Sequence, residues 1–366
     1  MGIINSGKLS RRDFIKNSAM IIGTSIVNPF KFRNQESQNW PVGVPLGRNC
    51  TTGKINLRAR PTVESEILKE IFEDTVVVWE QEVIGQAPPG LVSRRWVQTP
   101  EGYLYSPSVQ LVFNKPNVTM ESLPSNPSGP GMWVEVTTPY VDLVMANPPA
   151  RSPWLSETQF PRLYFSQVTW VDEIRKDADG RIFYRINEKY GNPGDILWAS
   201  ADAFRYITPD EISPIHPDVV DKKVIIDTNY QTLSCYEGKN EVYFCRVSTG
   251  AEFNAAGEAV ENWSTPPGPH PIFRKLVSIH MSGDASGAGW DTSGIGWTCF
   301  FAQGGVAIHS TFWHNNFGVP VSHGCVNARA EDAKWVFRWT SPEVPYDPGD
   351  VTIGMPGGTI VDIQRI

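Results

Sequence analysis

Thirty-one glycines and 30 prolines are spread along 366 residues, so a backbone breaker falls at about every sixth position. Proline removes a backbone donor and fixes φ, and glycine weakens a helix interior. Long helices do not survive that spacing; short strands joined by turns do. The chain is therefore expected to be mainly β and modular. At roughly 100–200 residues per domain, its length suits two or three domains, each large enough to bury a core. The formal charge of −7, with no Lys/Arg stripe, lacks the basic footprint that nucleic acid requires.

Residues 1–33 read as a signal segment rather than as fold. Ser10-Arg11-Arg12-Asp13-Phe14-Ile15-Lys16 is a twin-arginine run, and a mildly apolar stretch from Ala19 to Val27 follows it. Such runs are receptor-read export addresses. The stretch is shorter than the about 20 apolar residues that cross a bilayer as a helix, and no stable membrane span is expected elsewhere. Export places the five cysteines in an oxidising compartment. An odd count leaves at least one thiol free, for which Cys325 is the candidate, and permits disulfides among Cys50, Cys235, Cys245 and Cys299.

Beyond a polar spacer, the pattern divides the chain further. Residues 43–113 carry short strands at barrel-like spacing, including Ile55-Asn56-Leu57, Val76-Val77-Val78-Trp79 and Trp96-Val97-Gln98. Residues 114–131 are a Pro-rich linker. Residues 132–207 form a second β-rich module, with a hairpin about Asp177-Ala178-Asp179-Gly180. That turn is no calcium loop, because Arg175 and Ile186 stand where carboxylates would be needed. Residues 208–221 are another linker, and 222–366 make the last domain. There Gly304-Gly305 reads as a hairpin turn ahead of a strand Val306–Ser310. A helix is expected over Ala330–Trp339, with Trp335 and Trp339 on one face.

The chemistry concentrates in that last domain. Five of the six histidines fall between His270 and His323, around Ser322-His323-Gly324-Cys325-Val326-Asn327. A thiol becomes a nucleophile near neutral pH when a base takes its proton, and histidine is the side chain suited to that. Gly324 lets the backbone turn tightly beside the thiol, where successive N–H groups can converge on an oxyanion. His323 and His309 both remain open as the base on spacing alone. A zinc site drawn from His309, His314, His323, Cys325 and Cys299 is the rival from another class, although the spacing fits no common zinc pattern. His314 separates the two, since a metal site would need it.

Two resemblances sharpen this reading. His309-Ser310, eleven residues, then Ser322-His323-Gly324-Cys325-Val326-Asn327 resembles the L,D-transpeptidase catalytic motif, and Val247-Ser248-Thr249-Gly250, Thr265-Pro266-Pro267-Gly268 and Gly304-Gly305…Ile308-His309 agree with it. The resemblance implies a C-terminal β-sandwich-type domain with one short helix after Cys325. It also implies a cysteine acyltransferase on peptidoglycan stem peptides that needs no cofactor and no metal. Cys325 would attack a tetrapeptide donor, and a second stem would accept the acyl group to give a 3→3 cross-link. His309 would be the general base, held by the Ser310 carbonyl. His323, Gly324 and Cys325 would contribute to the oxyanion region, and Ser322 and Asn327 would support loop and substrate. Ser282–Gly296 would be a flap over the donor site. Water as acceptor would make the enzyme an L,D-carboxypeptidase, and loss of catalysis would leave a wall-binding protein. Leu57-Arg58-Ala59-Arg60-Pro61 with Gly102-Tyr103-Leu104-Tyr105-Ser106 resembles bacterial SH3-like barrels, which implies tethering to cell wall. Ile196-Leu197-Trp198-Ala199-Ser200 echoes it in the second module.

Overall fold

The computed structural model describes residues 39–158, 160–188, 194–253, 258, 260, 263–283 and 290–365. The twin-arginine run and the apolar stretch after it lie outside these residues. From Leu46 onward strands joined by turns dominate the described secondary structure, most of them short as the breaker spacing requires, with Arg274–Gly283 and Trp290–Ala302 the longest. Two α-helices are described, Pro153–Glu157 and Ala330–Trp339.

In the first unit, Leu46–Asn49 pairs antiparallel with both Val76–Val78 and Val109–Val112. Lys54–Arg58, Ile67–Phe72, Gln81–Ile84, Arg95–Thr99 and Gly102–Tyr105 make a five-stranded antiparallel sheet. Leu57, Ile71, Val97, Leu104 and Val109 form its core. The second unit is a six-stranded sheet around Met132–Val136 and Val168–Lys176, with Tyr140–Asp142 and Arg162–Tyr164 paired beside it. Both units close in the same way. Gly102–Tyr105 passes through a 3-10 turn, Ser106–Ser108, into Val109–Val112; Leu197–Ser200 passes through Ala201–Ala203 into Phe204–Tyr206.

The Pro-rich connections are strapped down rather than free. The Met120 N–H donates to the Tyr184 hydroxyl at 2.8 Å, and Met120 and Leu123 pack on the second core. After the second unit, Thr208 and Glu211 form a capping box on a short 3-10 turn. Ile207 and Ile212 are already part of the C-terminal core.

Two five-stranded sheets make the C-terminal unit. In one, Lys222–Asp227 lies between Thr232–Glu237 and the parallel strand Ile360–Gln364, with Asn240–Arg246 and Gly268–Pro271 at the edges. The other runs Val326–Ala328, Val306–Ser310, Trp290–Ala302, Arg274–Gly283, Asp350–Thr352. Val224, Ile226 and Leu233 from the first sheet meet Val277, Trp297, Ile308 and Val326 from the second. The Ala330–Trp339 helix adds Ala333, Val336 and Phe337 to this core. Trp335 and Trp339 stack on one another, and Trp335 lies on Tyr243 at 4.0 Å between centroids. Buried Lys275 donates to the carbonyls of Phe337, Thr340 and Pro342, capping the helix C-terminus. Burial pulls its ammonium down to about 8.

Trp133, Val168 and Trp170 of the second unit belong to the C-terminal core. The Trp133 indole N–H donates to the Tyr346 carbonyl at 2.8 Å. A Cβ on Gly349 would sit 2.4 Å from that indole, at a φ of +75°, so the docking needs glycine. Ladder pairing in the Ser282–Gly296 stretch reaches Gly283 opposite Trp290. Both ends of the stretch expected to be a flap are thus paired strand, and residues 284–289 lie outside the described ones. All five cysteines are free thiols. Cys235 stands opposite Tyr243 and Cys245 opposite Leu233, and burial pushes both thiols well up.

Candidate active site

Val306–Ser310 and Val326–Ala328 pair in parallel, with Ile308 opposite Val326 and His309 opposite Asn327. Residues opposite one another in a sheet share a face. Ile308 and Val326 enter the core, so His309 and Asn327 project together from the other face. Cys325 is the residue immediately before its strand. Gly324 precedes it at a φ of +114°, in the left-handed region that favours glycine.

Remote segments fasten this loop. Ser248 and Asn327 exchange both backbone bonds, at 2.9 and 2.8 Å, and the Ala251 N–H donates to the Ser322 carbonyl at 2.8 Å. The Thr265 hydroxyl accepts the Gly250 N–H at 2.9 Å and donates to the Gly324 carbonyl at 2.9 Å. A Cβ on Gly250 would lie 1.9 Å from the Trp263 carbonyl oxygen and 3.0 Å from the Gly324 Cα. Nothing larger than glycine fits there. Ser322 Oγ accepts the Gly324 N–H at 3.2 Å and donates to the Cys325 carbonyl at 2.5 Å. In this state the Gly324 N–H is therefore occupied by the loop itself.

The ionisable groups follow from burial. His309 is 2% exposed, and its Nδ1 lies 2.9 Å from the Ser310 carbonyl oxygen. A carbonyl can only accept, so Nδ1 carries the proton and Nε2 keeps its lone pair. Burial outweighs that bond and pulls the imidazole down to about 4. Cys325 is half-buried; its S–H reaches the Gly305 carbonyl of the Gly304-Gly305 turn at 3.6 Å. Burial pushes this thiol up to about 11. At neutral pH the resting site is a neutral thiol and a neutral imidazole.

His314 and Trp313 complete the surroundings, and sequence reading gave neither a catalytic role. Trp313 lies over His309 at 5.8 Å between centroids. The Asn316 N–H donates to His314 Nδ1 at 3.0 Å, which puts the neutral ring's proton on Nε2. Nε2 is 2.9 Å from Asn327 Nδ2; an Nε2–H needs an acceptor, so the amide must turn its oxygen toward the ring for this bond to form. Both nitrogens of His314 are thus engaged. Among the described residues, no group of three or more His, Cys, Asp or Glu side chains is arranged to hold a metal ion. His323 stands apart: it is exposed, and its ring lies on Trp263 at 3.9 Å. Thr265 was visible in sequence only as part of Thr-Pro-Pro-Gly, and His314 only as a ligand that a metal site would need.

Cys325, on a glycine-turned loop, leads into the strand that pairs with the one carrying buried His309 of fixed tautomer, which makes the two a candidate Cys/His site in a two-sheet domain. Residues 221–363 match the model of the YkuD family, the L,D-transpeptidase catalytic domain. Solved structures are similar to the chain in part. The Ldtfm–avibactam carbamoyl enzyme is 19% identical over 41% of this chain and 51% of its own, with a TM-score of 0.30. An L,D-transpeptidase mutant from Enterococcus faecium is 19% identical over 41% and 52%, with a TM-score of 0.30. An L,D-transpeptidase from Mycobacterium smegmatis is 16% identical over 52% and 98%, with a TM-score of 0.30. The chain spans about half the length of the first two. No curated protein matches it.

Proposed function

We propose that the protein is an exported peptidoglycan L,D-transpeptidase that forms 3→3 cross-links through a thioester on Cys325, with His309 as general base. The observation that carries this is the His309 tautomer: Nδ1 is committed to the Ser310 carbonyl, in the strand beside the one that Cys325 leads into. Cys325 Sγ attacks the carbonyl carbon before the terminal D-Ala of a tetrapeptide stem as its proton passes to His309 Nε2. The tetrahedral oxyanion collapses, and the C–N bond breaks. His309 returns the proton to the leaving amine, leaving a thioester. The amine of a second stem then attacks, its proton goes to Nε2, and the sulfur leaves and is reprotonated. Because thiol and imidazole are both held neutral, proton transfer accompanies attack instead of preceding it.

Export by the twin-arginine route and wall tethering by the first β unit complete the reading. The shared strand, 3-10 turn, strand closure supports treating both N-terminal units as SH3-like modules. The matching experiment is intact-protein mass spectrometry with a purified muropeptide tetrapeptide, beside Cys325→Ala. An adduct on the wild type alone, with cross-linked dimers among the products, is the expected result. An adduct with only tripeptide released would make the enzyme an L,D-carboxypeptidase. Absence of any adduct would overturn the reading.

A further inference from the structure

The segment that carries Trp313 and His314 has no regular secondary structure, and much of what fixes its shape comes from the first β unit. Arg48, 264 residues away, donates Nη2 to the Phe312 carbonyl at 2.9 Å. Arg95 donates to the Asn315 carbonyl at 2.5 Å and to that of Phe317 at 3.4 Å. The Asn315 N–H donates to the Pro107 carbonyl at 3.0 Å, and its side-chain amide donates to Ser106 Oγ at 2.9 Å. Every one of these partners lies in the first unit.

Arg48 is itself held with unusual care. It is 3% exposed, with Nη1 on Asp74 Oδ1 at 2.7 Å and Nε and Nη2 on Gln110 Oε1. The other Asp74 oxygen takes Arg162 at 2.7 Å and the Tyr164 hydroxyl at 3.2 Å, both from the second unit. The Arg48 guanidinium lies 4.0 Å over the Tyr164 ring, and that ring stacks on Phe312. Three units therefore meet at one guanidinium, one of whose Nη2 protons is spent on the Phe312 carbonyl. A fork of planar donors does this, and an ammonium cannot reproduce it.

We propose that the first β unit is part of the catalytic machinery, with Arg48 and Arg95 as positioning residues that hold the Phe312–Phe317 loop and, through Trp313 and His314, the His309–Asn327 pair. This rests on the proposed Cys325/His309 chemistry, and it goes beyond a tethering role for that unit. Trp313 covers His309, and His314 pins the Asn327 amide. Against the loop lie Arg48 and Arg95 of the first unit, His314 within it, Arg329 over the Phe317 ring and Arg246 beside Gly318; Cys325 precedes the strand that carries Asn327. Arg48 is answered by Asp74, and Arg95 by Glu82 at 3.3 Å. Loosening the loop admits water to His309, so its imidazole moves from about 4 toward its ordinary value of about 6.5.

The test uses the full chain and two variants, Arg48→Lys and Asn315→Ala. Asn315→Ala leaves every charge paired, and so keeps the test informative if the arginine variant misfolds. Histidine-selective 15N labelling, with His309→Gln to assign the signal, reads the His309 titration without any substrate. The expected result is an upward shift of one pH unit or more in both variants, with native near-UV circular dichroism. Turnover of the tetrapeptide falls roughly 10- to 100-fold in kcat at a KM within about threefold. Unchanged titration and kcat in a folded Asn315→Ala chain would overturn the proposal. A shifted titration in an enzyme that forms no thioester would instead overturn the transpeptidase reading and leave this one standing.

Discussion

His280 gives a stability prediction whose sign and size both follow from geometry. It lies within the Arg274–Gly283 strand, and its Nδ1 lies 2.8 Å from Glu188 Oε2 of the second unit. Its Nε2 meets Asp291 of the neighbouring strand. Carboxylates only accept, so both ring nitrogens must carry protons and the group is an imidazolium. His280 and Glu188 are nearly sealed, at 4% and 6% exposed. Burial lowers the imidazole, but the bonds and charges of Glu188 and then Asp291 outweigh it and raise the group to about 9. At about 1.4 kcal/mol per pH unit, a rise from 6.5 to about 9 amounts to about 3 kcal/mol. The folded value lies above the unfolded one. The stabilisation is therefore fully present below about pH 6.5 and is lost as pH rises through about 9.

His280→Gln keeps a donor of similar reach and removes the charge. Urea unfolding followed by tryptophan fluorescence should show the variant less stable by about 3 kcal/mol at pH 6. The gap should narrow through pH 8 and nearly close at pH 10. The comparison is a difference of differences, so the effects of other titrating groups cancel to first order. A gap that stays constant from pH 6 to pH 10 would refute the imidazolium bridge, since a packing defect has no reason to titrate. In that case the contact of Glu188 with His280 would be a neutral hydrogen bond.

Three further outcomes are expected. Gly250→Ala should lower the melting temperature and abolish thioester formation together, because its Cβ would sit 1.9 Å from the Trp263 carbonyl; differential scanning calorimetry beside mass spectrometry checks both. Thr265→Val removes the bridge between the Gly250 N–H and the Gly324 carbonyl and should cost about 1–3 kcal/mol of stability, read from urea midpoints, with a lower rate of acylation at Cys325. The acid limb of kcat/KM should fall near pH 4, where buried His309 takes a proton, rather than near the ordinary histidine value. Because that folded value is depressed, His309 also contributes stability that is present above about pH 6.5 and lost as pH falls toward 4; a limb at pH 6.5 would mean that His309 is solvated in the working enzyme.

What sequence disclosed, and what it did not, divides along the range of the interactions. Strand Val306–Ser310, the Gly304-Gly305 turn and the helix Ala330–Trp339 were legible, because period, breakers and helix faces are local properties. The Cys325 loop was legible for a related reason. Its glycine, thiol and asparagine fall within four residues, and the histidine opposite Asn327 sits on the adjoining strand. The modules were read as separated by linkers at 114–131 and 208–221, yet the described residues from Asn39 onward cluster as one compact unit. Trp133 and Trp170 look like ordinary strand residues of the second unit and are core residues of the third. Nothing in their alternation says which neighbour buries them. Arg48 is the sharper case. In sequence it is one charge in a short strand, Leu46–Asn49, and surface solvation is the ordinary expectation for it. Only folding shows that Asp74, Gln110, Tyr164 and Phe312 surround it. A buried guanidinium needs all its partners at once, and these come from three units. A local motif therefore picks out the candidate nucleophile, whereas what holds its surroundings in place emerges only when the units dock.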